Sequence, residues 1–384
     1  MALRAISLYS GIGGLDFGFE AAGFEMAVAV EMDAVACATM RLNQQSRPAS
    51  RRSQILEGMI NDFSSRTLLQ RAGLRKRQAD VLIGGPPCQP FSKSSYWVNG
   101  DTERLDDPRA DTLTSFLRVL RDTCPRAFLL ENVKGFAFQG KEEGLSYVLE
   151  GVRRINEQEK TRYRVHYAVL NAADYGVPQL RERVFLVASR DGRDFEFPAP
   201  THGPECKEPH RTAWDALGDL EQHPSDLDLT ARGKWAQLLP SVPEGENYLW
   251  HTPRGGGHPL FGWRTRYWSF LLKLAKAKPS WTIQASPGPA IGPFHWTSRL
   301  LSPRELCRLQ TFPDEIQIDS KRSDAQRMVG NAVPSLLAEV LALEIRRQLL
   351  DSLSRRRSPK LLPPRRFDTP PAEQVAPLHA KYHH

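Results

Sequence analysis

The most direct chemical reading in this sequence comes from a cysteine placed immediately after two prolines. The run Gly84-Gly85-Pro86-Pro87-Cys88-Gln89-Pro90-Phe91-Ser92 follows a short apolar segment, Asp80-Val81-Leu82-Ile83. Proline locks φ, so the backbone before Cys88 is stiff and its thiol sits at a fixed place at the edge of a sheet. A free thiol titrates near about 8.5 and reacts as the thiolate, so a nucleophilic role needs a helix amino terminus, a cation or a base close by. The competing reading is a buried structural cysteine. The polar stretch Ser92 to Arg109 argues against burial and reads as a lid beside the thiol.

Further groups with chemical potential lie elsewhere in the chain. Glu131-Asn132-Val133 ends another apolar run, Ala127-Phe128-Leu129-Leu130. A carboxyl group among apolar neighbours can keep a proton at neutral pH and hydrogen-bond a ring nitrogen; the tripeptide fits a strand-to-helix cap equally well. Gln179-Leu180-Arg181-Glu182-Arg183 precedes Val184-Phe185-Leu186-Val187, and strand spacing puts both arginines on one face. They could grip a phosphate or a pyrimidine carbonyl, or form an edge-strand ion pair with Glu182. Near the amino terminus, Ser10-Gly11-Ile12-Gly13-Gly14 follows the strand Ala5 to Tyr9. Such a turn admits a nucleotide-like ligand, with Glu31 at the end of the next strand, Phe24 to Val30, placed to accept from ribose hydroxyls. The glycine order departs from GxGxxG, which weakens a nicotinamide or flavin reading.

These groups are positioned by alternating strands and helices, the pattern of a doubly wound, mostly parallel α/β sheet with ligands at the carboxyl ends of its strands. Residues 1–197 read as this first domain. From Pro198 the alternation stops, and residues 198–297 read as a second, smaller domain. Ser302-Pro303-Arg304-Glu305 is a capping box that starts a helix ending near Thr311. An amphipathic helix from Pro334 to Leu350 should dock back on the first domain, so 298–350 returns to it.

The 384 residues carry a net charge of +8. Residues 351–384 hold seven Lys/Arg, three acids and six prolines, and read as a disordered basic tail. Between Glu246 and Glu305 there is no acid, but there are eight Lys/Arg and five of the eight tryptophans, beside the flexible Gly255-Gly256-Gly257. Bases interleaved with Trp250, Trp263, Trp268, Trp281 and Trp296 fit a phosphate-following surface that also stacks on bases; a tryptophan-rich core with a solvated basic face fits as well. The five cysteines are scattered and form no CxxC pair, and no export signal or membrane span is visible, which fits a reducing cytoplasm. His202, Cys206 and His210 are spaced by four, but the surrounding prolines discourage the helix that would align them on a metal.

In their order, Ser10-Gly11-Ile12-Gly13-Gly14-Leu15, Pro87-Cys88-Gln89, Glu131-Asn132-Val133, Gln179-x-Arg181-x-Arg183, Arg299 to Phe312 and Gly330-Asn331-Ala332-Val333-Pro334 resemble the DNA (cytosine-5) methyltransferases of bacterial restriction-modification systems. The likeness covers roughly residues 4–195 and 298–350 and leaves an insert where that family keeps its target-recognition domain. It implies an S-adenosylmethionine-dependent methyltransferase fold, with Cys88 as nucleophile, Glu131 engaging cytosine N3, Arg183 at the base carbonyl and Arg181 at the base or backbone. For S-adenosyl-L-methionine it implies Tyr9, Ser10, Gly11, Gly13, Gly14, Leu15, Glu31, Met32, Asp62, Phe63, Pro87, Leu113, Asn331 and Val333. Tyr9 stands where phenylalanine is common in the family.

That chemistry requires the cytosine to leave the duplex. Ser94, Ser95 or Trp97 of the lid could touch the vacated space, and Arg254, Arg264 and Arg266 are candidates for reading guanine edges in the major groove. The expected partner is double-stranded DNA, bound by a monomer in the cytoplasm at the nucleoid and paired in function with a restriction endonuclease, with no metal and no membrane. Methylation of tRNA, or DNA binding by an inactive regulator, are the rival readings; the intact Cys88, Glu131 and Asn331 speak against the second.

Overall fold

The computed structural model describes residues 2–45, 47–49, 52–87, 111–137, 143–220, 228–351 and 357–383. Cys88 and the Ser92–Arg109 segment, with Ser94 and Ser95, lie outside the described residues. Two compact units are present. The first comprises Met1–Asn171, Glu182–Ala199 and Ala332–Leu361, and the second Ala172–Arg181, Pro200–Asn331 and Leu362–His384.

The first unit is built on a seven-stranded sheet of β1 (Leu3–Leu8), β2 (Phe24–Glu31), β3 (Gln54–Glu57), β4 (Val81–Gly84), β5 (Ala127–Val133), β6 (His166–Asn171) and β7 (Glu182–Ser189). Their order is β3-β2-β1-β4-β5-β7-β6. Strands β1 to β5 pair in parallel, and β7 runs antiparallel to both β5 and β6. The central strands are apolar along their length because both faces are covered: β4 is buried at every residue. The chain runs from β1 out to β2 and β3, then crosses back to β4 on the other side of β1, so the sheet's switch point lies at β1/β4.

Helices α1 (Gly14–Ala21), α2 (Ala34–Leu42), α3 (Ser65–Arg71), α4 (Asp111–Thr123) and α5 (Glu143–Glu159) connect these strands. Asp33 caps α2 by accepting from the N–H of Val35 at 2.9 Å. The alternation read from the sequence is therefore present, as is the mostly parallel sheet.

In the second unit, α6 (Ala213–Leu217), α7 (Pro303–Leu309) and α8 (Arg322–Asn331) pack in sequence, with Arg308 of α7 donating to the Ala216 carbonyl. The Ser302–Glu305 capping box is formed, and α7 stops at Leu309, two residues before the expected end. The expected return to the first domain at residue 298 comes later. Residues 298–331 pack within the second unit, and the chain rejoins the first at Ala332–Leu361, where α9 (Ser335–Ile345) packs against α1. There Gly18 has no room for a side chain, since a Cβ would lie 2.5 Å from the Ser335 carbonyl oxygen and the Glu339 nitrogen.

The tail is also unlike its reading as disordered coil. Its described part beyond Leu361 is tied into the second unit. The Arg366 N–H donates to Asp215 at 2.6 Å, Lys276 pairs with Glu373, and Tyr382 stacks on Trp235 with ring centres 5.9 Å apart. A backbone N–H on a body carboxylate, the tail's own Glu373 on a buried lysine and a stacked ring together hold the segment.

Candidate active site

The parallel strands deliver their carboxyl ends to one edge of the first unit's sheet, and the antiparallel β7 delivers its amino end to the same edge. This brings the glycine turn after β1, Glu31 at the end of β2, Gly85-Pro86-Pro87 after β4, Glu131 and Asn132 in β5, and Arg183 at the start of β7 to that edge.

In the turn, Tyr9, Gly11 and Gly13 all adopt positive φ (57°, 56° and 89°). Glu31 fastens it: one carboxylate oxygen accepts from the Gly11 N–H at 2.8 Å, the other from the Asp33 N–H at 2.8 Å. Among the described residues, no atom lies within 4 Å of a Cβ built on Gly11. Ser10 and Leu15 are buried beneath it, Val333 is buried, and the Gly14 Cα lies against the Val333 carbonyl. Met32 beside Glu31 is 65% exposed, an apolar surface at the rim. The Tyr9 hydroxyl donates to the Thr112 carbonyl at 2.7 Å, next to buried Leu113. Asp62 accepts from the Met59 N–H at 2.7 Å, and Phe63 packs on the core. Pro87 is exposed at the end of the described segment, and Asn331 is exposed at the end of α8 in the second unit.

The Glu131 carboxylate is 8% exposed as a residue and lies 3.0 Å from the Arg183 Nε. A Cβ on Gly85 would sit 2.8 Å from the second Glu131 oxygen, so a side chain there would displace the carboxylate. Asn132 donates to the Pro86 carbonyl at 3.4 Å and accepts from the Val133 N–H, tying the end of β5 to the segment leading to Cys88. The spacing argument that put Arg181 and Arg183 on one strand face fails, because β7 starts at Glu182. Arg181 is 1% exposed inside the second unit, where it donates to the carbonyls of Gly330 (2.8 Å) and Ile283 (3.3 Å). Glu182 pairs with Lys134 instead. Among the described cysteines, burial pushes the Cys37 and Cys307 thiols up to about 12, so neither is a thiolate at neutral pH.

A profile of C-5 cytosine-specific DNA methylases matches residues 3–347. The chain belongs to that family. Type II methyltransferase M.SacI of Streptomyces achromogenes is 37% identical over 91% of this chain and 95% of its own length. M.AquIA of Picosynechococcus sp. is 42% identical over 57% of this chain and 90% of its own. In fold, this methyltransferase is similar to Spodoptera frugiperda DNMT2 (TM-score 0.61, 17% identity, 90% of this chain and 100% of that one) and to Entamoeba histolytica methyltransferase EhMeth (TM-score 0.59, 16% identity, 92% and 100%).

The methyltransferase's acid-free segment is divided between surface and interior. Arg254, Arg264 and Arg266 are exposed, with Arg254 5.0 Å over the Trp263 ring, and Trp268 and Trp281 form an exposed edge-to-face pair. Lys273 and Lys276, counted with the surface charge in the sequence, are buried: Lys273 donates to the Val242 carbonyl, and burial lowers its pKa to about 8. Trp296 is fully buried. Gly255-Gly256-Gly257 is wrapped on Trp250, with a Gly257 Cβ 2.6 Å from its Nε1, so close approach rather than flexibility accounts for the glycines. His202 and His210 engage Thr201 and Asp174, and no cluster of metal-ligating side chains occurs among the described residues.

Two residues with no signal in motif spacing also belong to the glycine turn: Ser7, inside β1, and Asp16, in the first turn of α1. An acid on the buried face of an apolar helix was the available sign.

Proposed function

We propose that this enzyme transfers a methyl group from S-adenosyl-L-methionine to C5 of a cytosine swung out of duplex DNA, through a transient bond between Cys88 and C6. One arrangement supports this most. The glycine turn and Glu31 lie on one side of the β1/β4 switch point, Glu131 and Arg183 on the other, and the Pro86-Pro87 run leading to Cys88 between them.

The residues fit the cofactor. Glycine at positions 11 and 13 lets a ligand approach the backbone of the turn, Glu31 has lone pairs left for ribose hydroxyls, and Met32 presents an apolar surface for the adenine. Tyr9, Asp62, Phe63, Pro87, Leu113, Asn331 and Val333 complete the assignment by family likeness. S-adenosylmethionine supplies an electrophilic methyl group on a sulfonium.

Cytosine C5 is too weak a nucleophile to take that methyl directly. The Cys88 thiolate adds to C6 while Glu131 holds a proton at N3 and Arg183 binds the carbonyl, which makes C5 an enamine carbon. C5 would then take the methyl group that bound S-adenosylmethionine supplies, its sulfur keeping the electron pair of the broken bond. A base then removes the C5 proton, and the re-forming double bond expels the Cys88 thiolate. Arg181, by contrast, acts as a brace within the second unit. Unstacking the base costs a few kcal/mol, a cost that contacts of Ser94 and Ser95 with the DNA would offset.

The second unit, with Arg254, Arg264 and Arg266, selects the site in double-stranded DNA. One monomer suffices to hold one flipped base, so the enzyme works as a monomer, in the cytoplasm on the nucleoid, and pairs in function with a restriction endonuclease. The test is methyl transfer from labelled S-adenosylmethionine to mixed-sequence duplex DNA, read by sequencing for 5-methylcytosine, with Cys88→Ser in parallel. Label at C5 of one short motif, absent in the variant, together with a covalent adduct on duplexes containing 5-fluorocytosine, is expected. Label on tRNA alone would overturn the reading.

A further inference from the structure

Beneath the glycine turn lies a chain of three buried polar side chains. The Ser7 hydroxyl donates to Asp16 Oδ1 at 2.6 Å, and the Ser7 and Ser10 oxygens are 2.8 Å apart. None of the three exceeds 8% exposure. Ser10 also closes the turn through its backbone, accepting from the Gly13 N–H at 2.9 Å and donating to the Val30 carbonyl at 3.2 Å. A loop with left-handed backbone at Tyr9, Gly11 and Gly13 keeps its shape only when surrounding bonds over-determine it.

We propose that Asp16 is a positioning residue for the methyl donor, acting through Ser7 and Ser10 to hold the glycine turn in its cofactor-binding form. The inference rests on the cofactor reading above. An ionised carboxylate can only accept, so the Ser7 proton must point to Asp16 and the Ser10 proton to Ser7. The direction of the chain is then fixed, and Ser10 turns its lone pairs outward. A protonated Asp16 can donate, which allows the chain to reverse and frees the turn to adopt a second hydrogen-bond arrangement. The carboxylate also places negative charge under a cofactor that carries a sulfonium.

The surroundings make this exchange reachable. Burial raises Asp16 from 3.8 to about 7, opposed by the Ser7 hydrogen bond. Of the charged groups facing it, Glu20 on the same helix and Glu31 on β2 push in the same direction as burial, and Arg47 opposes them. Helix α9, packed on α1, carries Glu339, whose oxygens are held by the Lys360 and Leu361 N–H groups, and β4 contributes no charged residue.

The experiment is calorimetric titration of S-adenosylmethionine into the full-length wild type, Asp16→Asn and Ser7→Ala between pH 6 and 8.5, with melting temperatures at pH 8. Wild-type affinity should rise by about three- to tenfold as pH passes 7, the worth of one ordinary hydrogen bond. Both variants should lack that step and stay near the wild type's low-pH affinity. Because the folded Asp16 pKa lies above the unfolded one, ionisation costs stability at pH 8, so Asp16→Asn should melt no lower than wild type there. A merely structural acid would instead lower the melting temperature and leave the pH profile unchanged. A step that persists in Asp16→Asn, or in Ser7→Ala should the first variant not fold, overturns the proposal. So does a wild type that binds with no pH dependence. A wild type that binds no S-adenosylmethionine at any pH overturns the cofactor reading itself.

Discussion

Arg183 Nε lies 3.0 Å from Glu131 Oε1, across two neighbouring antiparallel strands in which Arg183 pairs with Val133 and Glu131 with Phe185. Both side chains are largely withdrawn from solvent, and the contact fixes the place of each at the sheet's edge. Arg183→Ala and Glu131→Gln should each lower the single-turnover rate of methyl transfer by roughly 10²-fold or more. Affinity for S-adenosylmethionine, whose turn lies beyond β4, should hold within a factor of about 2. Quench-flow measurement of 5-methylcytosine beside cofactor titration separates the two effects. A loss confined to cofactor affinity would take the pair out of the reaction.

The close approach of α1 to α9 leads to a second prediction. Gly18→Ala drives a methyl into the Ser335 carbonyl and the Glu339 nitrogen, and neither helix can yield without moving the glycine turn that begins α1. The expected cost is about 1–3 kcal/mol in urea unfolding. Cofactor affinity should fall as well, because Gly14 lies four residues away on the same helix. Unchanged stability would mean that the helices separate freely.

The sheet was legible where burial on both faces left unbroken apolar runs, as at Val81–Ile83 and Ala127–Leu130. The edge strand Gln54–Glu57 exposes its two polar ends, and His166–Asn171 exposes Tyr167 and Val169, so neither is a run buried on both faces. Glu131 was legible because it ends an apolar strand. Arg181 was misread because period-two spacing was extended one residue beyond the true start of β7, into a segment that belongs to the second unit. Lys273, Lys276 and the tail were misread for a shared reason. Charge counted along a chain does not reveal which cations will find buried carbonyls or carboxylates. The Asp16 network requires a strand, a turn and a helix to be folded together, so it has no motif of its own.

The exposed cations of the second unit should govern DNA affinity through salt. If Arg254, Arg264 and Arg266 lie on phosphates, each replacement by alanine lowers the slope of log K against log salt by about 1 and weakens all sequences alike. A residue reading a guanine edge would instead cost about 1–3 kcal/mol on the target motif alone. Arg254, stacked over Trp263, should show part of its effect at high salt, since packing on the ring is not screened. Fluorescence anisotropy at several salt concentrations, with target and scrambled duplexes, distinguishes the cases; no change for any of the three would place the DNA on another surface.

Acid should destabilise the second unit through a buried cation. Lys276, 3% exposed, pairs with Glu244 and Glu373 at 2.7 Å each. Burial alone would raise the Glu244 carboxyl, but the Lys276 ammonium and the N–H groups of Glu373 and Lys276 outweigh it and hold the pKa below its usual 4.5. A carboxylate lowered in the folded state stabilises fully above its unfolded value, about 4.3, and that contribution is lost as pH falls through the folded value. Glu305, held by Arg299, adds to the same window. Wild-type stability should therefore drop between about pH 4.5 and 3 more steeply than that of Glu244→Gln, which should already be weaker at pH 7 by about 1–3 kcal/mol. Removing residues 362–384 takes away Glu373 and the Tyr382 ring stacked on Trp235, and should lower the neutral-pH melting temperature while leaving the Glu305 part of the acid dependence in place. Urea titrations at pH 7, 4 and 3 test this, and parallel acid profiles for wild type and Glu244→Gln would show that the pair carries no pH-linked stability.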